Sequence, residues 1–215
     1  MDFLLIIPVL LLSVVVHEVA HAWQALREGD TTARDLGRIT LNPVPHLDPV
    51  GSIGVPLLLY FLPGNFLFGW ARPVPVNPRN YRNQRAGDIR VSLAGIVANL
   101  GLVVFFAAAL ALLPLVEGVL SPGGQAGSIL FSTLTYGVLI NLILAYFNLI
   151  PIPPLDGSHV LKHLLPASLG ARYMALGRYG IAILFLMLLV FPGGFATLLS
   201  PVFVAFNWIL GVTLG

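Results

Sequence analysis

Hydrophobic positions along this chain fall into long runs separated by short polar intervals. Five runs, at roughly 3–26, 90–114, 127–150, 174–192 and 195–214, are long enough to cross a bilayer, because about 20 apolar residues span a ~30 Å hydrocarbon core as a helix. Helices are expected, since a lone span must satisfy its own backbone hydrogen bonds. A sixth stretch, VGSIGVPLLLYFLPG at 50–64, is too short and too interrupted by Gly and Pro to cross. It reads as a re-entrant or interfacial segment shielded by protein. From 65 to 90 polarity rises in NFLFGWARPVPVNPRNYRNQRAGDIR. The Trp, Tyr and arginines suit a membrane surface, and the Val-Pro alternation within 69–78 suits a short β or extended edge segment. The pattern predicts an all-α membrane protein, a bundle of about five transmembrane helices with a re-entrant segment and a short β/extended segment at the cytoplasmic side. Residues 1–215 form a single domain with no internal repeat.

Composition agrees. The chain is 57% hydrophobic and only 9% charged, against roughly 25% charged in soluble domains, and its mean hydropathy is +0.91. There is no cysteine, which excludes disulfides, thiolate metal sites and thiol nucleophiles. The first apolar run has no basic leader and no small-residue cleavage site, so a removed signal peptide is not expected. The net charge of +2 does not imply a nucleic-acid partner, because the basic residues are distributed as topology signals. Eight arginines lie at 27, 34, 38, 72, 79, 82, 85 and 90, and Lys162, Arg172 and Arg178 complete the eleven basic residues. The intervals near 115–126 and 192–194 contain none. The positive-inside rule then puts the N-terminus outside and, after five crossings, the C-terminus in the cytoplasm.

The first run contains VVVHEVAHAW at 14–23. His17 and His21 stand i, i+4 on one helical face, the geometry that grips one divalent metal. Glu18, beside them, is the general-base candidate of an HExxH site, where a metal has lowered the pKa of its bound water toward ~7. A lone buried histidine is usually a satisfied core residue, but three ionisable groups within five positions of a span cost several kcal/mol unless they serve a function.

A third ligand is required. The candidates are His46 and Asp48 in PHLDPVG, Asp156 in PPLDG, and His159 and His163 after it. His17 lies ten residues before Arg27, about 15 Å of helix rise, which sets the metal in the cytoplasmic half. The third span runs toward that side and ends in prolines ahead of Asp156, so Asp156 is favoured, with Asp48 its main rival and a simple helix cap the bland reading. His159 and His163 repeat the i, i+4 spacing, but Lys162 and Arg172 nearby point to an interfacial helix. His46 and Asp48 are expected to shape a turn. Asn141 and Asn148 share a face of the third span, and packing is favoured for Asn141.

HEVAH in the first span and NLIPIPPLDG after the third together resemble the site-2 protease family of intramembrane zinc metalloproteases, in its compact prokaryotic form. NPVPHLDPVG, GWARPVPVNPRNYRN and SLAGIVAN extend the similarity over nearly the whole chain. The resemblance implies one Zn2+ per chain held by His17, His21 and Asp156, Glu18 as general base, and Asn148 near the scissile carbonyl. It also implies substrates that are transmembrane-helix proteins in a prokaryotic cell membrane. The extended stretch Arg72, Pro73, Val74, Pro75 and Val76 is the candidate substrate-binding segment, pairing with an unwound substrate as an added strand. The rival class is a metal transporter, which would need polar groups through several spans; polarity here gathers at one side.

Overall fold

A computed structural model describes residues 2–55, 71–117, 124–190 and 192–214. Seven α-helices of six residues or more are found among them: α1 (Asp2–Glu28), α2 (Gln84–Glu117), α3 (Gln125–Leu149), α4 (Gly157–Lys162), α5 (Ala167–Ala175), α6 (Gly177–Val190) and α7 (Pro192–Leu214). The described residues contain no β-strand. α2 packs against both α1 and α3, α1 and α3 also touch, and α7 closes over α2 and α3.

Among the described residues, four helical stretches are long and apolar enough to cross a membrane: Leu4–Glu28, Gln84–Leu115, Gln125–Leu149 and Thr197–Leu214. They match four of the five expected spans. Within the remaining one, expected at 174–192, α5 ends at Ala175 and α6 covers Gly177–Val190, up to residue 191, which lies outside the described residues. α2 starts six residues before its expected span because Asn83 caps it: its Oδ1 accepts from Ala86 N at 3.0 Å. The first turns of α2 therefore carry Asp88 and Arg90.

α1 stops where Gly29 takes φ 110°, a left-handed conformation that costs glycine nothing sterically. The chain then makes three short turns, Thr32–Asp35, Val44–His46 and Pro49–Gly54. As expected, His46 and Asp48 shape this stretch. His46 is buried, with Nε2 3.0 Å from Thr40 O, and Asp48 Oδ1 accepts from Val50 N and Gly51 N at 3.0 and 2.6 Å. Of the expected re-entrant stretch 50–64, residues from 56 onward lie outside the described residues, as do 69 and 70 of the extended segment. Residues 71–77 follow neither helix nor strand pairing.

The apolar centre is Val103, Phe106 and Leu110 of α2 against Leu134 and Val138 of α3, with Phe206, Ile209 and Leu210 of α7 around them. Lipid tails are as apolar as these side chains, so close packing and interhelical hydrogen bonds, more than hydrophobic transfer, hold the helices together. The exposed Phe105, Val104, Leu112, Val204 and Trp208 form the face such a bundle turns to lipid.

Candidate metal centre

His17 and His21 lie on the face of α1 that meets α2, and the loop after α3 brings Asp156 to them. His17 Nε2 and His21 Nε2 are 3.0 Å apart. Asp156 Oδ2 lies 3.1 Å from the first and 3.2 Å from the second. These three residues form the one group among the described residues with ligand atoms close enough to share an ion.

The donor set passes a chemical test of fit. Nitrogen and carboxylate ligands at about 2.0–2.2 Å from a tetrahedral ion stand roughly 3.3–3.6 Å from each other, a few tenths of an ångström beyond the spacing observed. Both imidazoles have their other nitrogen engaged: His17 Nδ1 is 2.6 Å from Asn99 Oδ1 and His21 Nδ1 is 2.7 Å from Val91 O. Those partners accept, so both rings carry the proton on Nδ1 and aim an Nε2 lone pair inward. Two lone pairs at 3.0 Å repel unless a cation lies between them. Asp156 Oδ2 is buried and makes no hydrogen bond of good geometry, as expected of an atom that faces a shared centre. Asp156 occupies the N-cap position of α4, yet its side chain makes no capping bond, so the bland reading does not account for its orientation.

α2 is the template for this arrangement. Val91, Gly95 and Asn99 follow one another at i, i+4, i+8 and so share a helical face. The first and third hold the two imidazoles, and Gly95 lies against both rings. A Cβ built at Gly95 would fall 2.5 Å from His17 Cε1 and 2.5 Å from His21 Nε2. Only a residue without a side chain permits this approach.

Glu18 points elsewhere on the same helix, to the extended segment. Its Oε2 accepts from Val74 N at 2.7 Å. That segment is pinned at three further points. Arg72 N donates to His46 O at 2.8 Å, Arg38 reaches Arg72 O at 3.0 Å, and Asn77 N donates to Asp30 Oδ2 at 2.6 Å. Val74 packs its side chain against Ala22 and Ala33; Arg72 and Pro73 are exposed, and Pro75 and Val76 are half-buried. Burial pushes the Asp30 carboxyl up, but hydrogen bonds from Thr32, Asn77 and Asn80 outweigh it and hold the group below the usual carboxylate range.

The remaining candidates separate clearly. Asn148, in the last turn of α3, donates from Nδ2 to Leu144 O at 3.0 Å. Asn141 is fully buried and bonded to Asn99 and Ser13, the packing role expected of it. His159 and His163 converge on Asp88, at 3.2 and 2.7 Å, but Lys162 Nζ occupies the same carboxylate at 3.0 Å. That ammonium makes the cluster an ion-pair clasp between α4 and α2, not a second metal site. Sequence reasoning missed Asn99, Val91 O and Val74 N as partners of the HEVAH residues. The signal available was a lone Asn within the apolar second run.

Comparison with known proteins bears on this centre. Residues 115–191, which include Asn148 and Asp156, match the model of the family described as Peptidase family M50. The chain is 41% identical over 192 residues to "Putative zinc metalloprotease YwhC" of Bacillus subtilis, covering 86% of this chain and 80% of that protein. It is 34% identical over 165 residues to "Putative zinc metalloprotease Rip2" of Mycolicibacterium smegmatis, covering 76% of this chain and 59% of that protein. The Rip2 protein of Mycobacterium tuberculosis is 33% identical over the same length and coverage. The chain thus spans about three fifths of the mycobacterial relatives. No solved structure matches.

Proposed function

The chain belongs to peptidase family M50, the site-2 protease family, and on that premise we propose that it is an intramembrane zinc metalloprotease cleaving transmembrane segments of membrane-protein substrates. The observation that carries the reading is the convergence of His17 Nε2, His21 Nε2 and Asp156 Oδ2 within 3.0–3.2 Å of one another. His17, His21 and Asp156 are the residues that would hold one zinc ion. Bound there, zinc supplies Lewis acidity, making water a better nucleophile and the scissile carbonyl a better electrophile.

The chain's own groups do the rest. Glu18 takes one proton from the attacking water as its oxygen bonds to the carbonyl carbon, and gives that proton to the amine as the C–N bond breaks. Val74 N–H keeps the carboxylate aimed while it waits. Asn148 donates to the oxygen on which negative charge develops; an amide has two N–H groups, and the bond to Leu144 O uses one. The segment Arg72–Val76 lies against Glu18 through Val74, which supports its role as the backbone rest for a locally unwound substrate. Unwinding is necessary because a substrate helix keeps its carbonyls in internal hydrogen bonds.

The arginine asymmetry supports an N-terminus outside and a centre in the cytoplasmic half of the membrane. A cytoplasmic C-terminus follows if the segment containing α6 crosses as the fourth of five spans.

The test is incubation of the purified chain with single-span peptides and mass spectrometry of the products. Zinc-dependent cleavage within the span is expected, and Glu18→Gln should retain zinc while cutting at least about 100-fold more slowly. Wild-type rates in that variant would remove Glu18 from the mechanism.

A further inference from the structure

Behind His17 lies a polar network sealed between α1, α2 and α3. Ser13, Asn99 and Asn141 are each 0% exposed. Gly137 O is a backbone carbonyl and only accepts, so the atom 2.8 Å from it is Asn141 Nδ2, a donor. The second hydrogen of that nitrogen goes to Ser13 Oγ at 2.8 Å, whose own hydrogen goes to Val9 O at 2.8 Å. Asn141 therefore turns Oδ1 toward Asn99 Nδ2, 2.8 Å away. Asn99 Nδ2 also donates to Ser13 O at 3.3 Å, which uses both of its hydrogens. Asn99 is left with Oδ1 facing His17 Nδ1 at 2.6 Å.

Direction is what distinguishes this network from ordinary packing glue. Turning either amide around would set a nitrogen donor where Asn141 Oδ1 or Asn99 Oδ1 must accept, and a carbonyl oxygen against Gly137 O or Ser13 O. Two backbone carbonyls thus dictate, through two amides, that His17 carries its proton on Nδ1 and keeps Nε2 as a lone pair.

We propose that Asn99, oriented by Asn141 and Ser13, is a positioning residue that locks His17 in its metal-binding tautomer. The proposal rests on the metal reading above and assigns its tuning to groups that touch neither metal nor substrate. Partners of this kind typically change metal affinity 10- to 100-fold, about the size of effect to look for.

The experiment measures the zinc dissociation constant of the full purified chain by competition with a chromophoric chelator. Asn99→Leu keeps a side chain of similar size but gives His17 no acceptor, and its zinc dissociation constant should rise by about 10- to 100-fold. Asn99→Asp keeps an acceptor oxygen at Nδ1 but loses the donors to Asn141 Oδ1 and Ser13 O, so its zinc dissociation constant should fall between those of the parent and Asn99→Leu. A role in packing alone inverts that order, since a buried acid harms packing more than Leu does. Should Leu bind zinc like the parent, or Asp bind no better than Leu, the proposal is overturned. Asn141→Leu, which leaves the acceptor but frees its orientation, should weaken zinc by less than Asn99→Leu; it carries the test if Asn99→Leu does not fold, and parental affinity there then overturns the relay. His21→Ala separates the two readings. If it holds zinc like the parent, the metal centre and the relay both fall; if it loses zinc while Asn99→Leu does not, only the relay falls.

Discussion

Val74 N–H donates to Glu18 Oε2 at 2.7 Å, joining the extended segment to the middle of the first helix across 56 residues of chain. Glu18 is half-buried, and a carboxylate there needs a donor to hold one orientation. Proline neighbours on both sides leave Val74 as the residue between 73 and 75 that can supply it.

Val74→Pro removes that single donor from a stretch already extended by prolines. Zinc content should stay at one per chain, while kcat falls by about 10- to 100-fold because the base is no longer aimed. An unchanged kcat would mean that the bond to Val74 is incidental.

Gly95→Ala sets a methyl group against both imidazoles, and α2 must move away from α1 to admit it. Overpacking of this kind costs about 1–3 kcal/mol, and here it also pulls Val91 O and Asn99 Oδ1 from the rings. The variant should melt lower and lose zinc. Gly101→Ala on the same helix, where a Cβ meets nothing within 4 Å, should retain both properties, so equal behaviour of the two would remove Gly95 from the centre.

How much of this was readable beforehand follows from the kind of contact involved. His17 and His21 are coupled by helical period, which a sequence displays. Asp156 was readable because prolines stop α3 at the right depth. The partners on α2 were harder to read: apart from Ser92, Gly95 and Asn99 the run at 90–114 is almost wholly apolar, so its hydrophobic periodicity does not say which face turns to α1. The 82-residue and 70-residue separations of the His17–Asn99 and His21–Val91 pairs depend on that rotation. A backbone donor such as Val74 N leaves no trace in residue type at all. The start of α6 was more legible, since Arg172, Gly177 and Arg178 stand around the turn at Leu176.

Acid should loosen the extended segment through Asp30. Its hydrogen bonds hold the folded-state pKa below the unfolded value of about 3.9. A depressed carboxylate contributes stability that is fully present above the unfolded pKa and lost as pH falls through the folded one. Asp30→Asn, which disrupts acceptance from Asn77 N and Asn80 Nδ2, should cost about 1–3 kcal/mol at neutral pH. The gap in apparent Tm between parent and variant should then narrow as pH drops below about 4. A gap that holds constant or widens in acid would show that Asp30 does not act through its charge.

The most direct measurement is anomalous diffraction at the zinc edge from crystals of the zinc-loaded chain. One peak is expected per chain, at about 2.0–2.2 Å from His17 Nε2, His21 Nε2 and an Asp156 oxygen, and absent from Asp156→Ala crystals grown with the same metal. A peak held by other side chains, or one that survives loss of the Asp156 carboxylate unchanged, would contradict the centre on which the account is built.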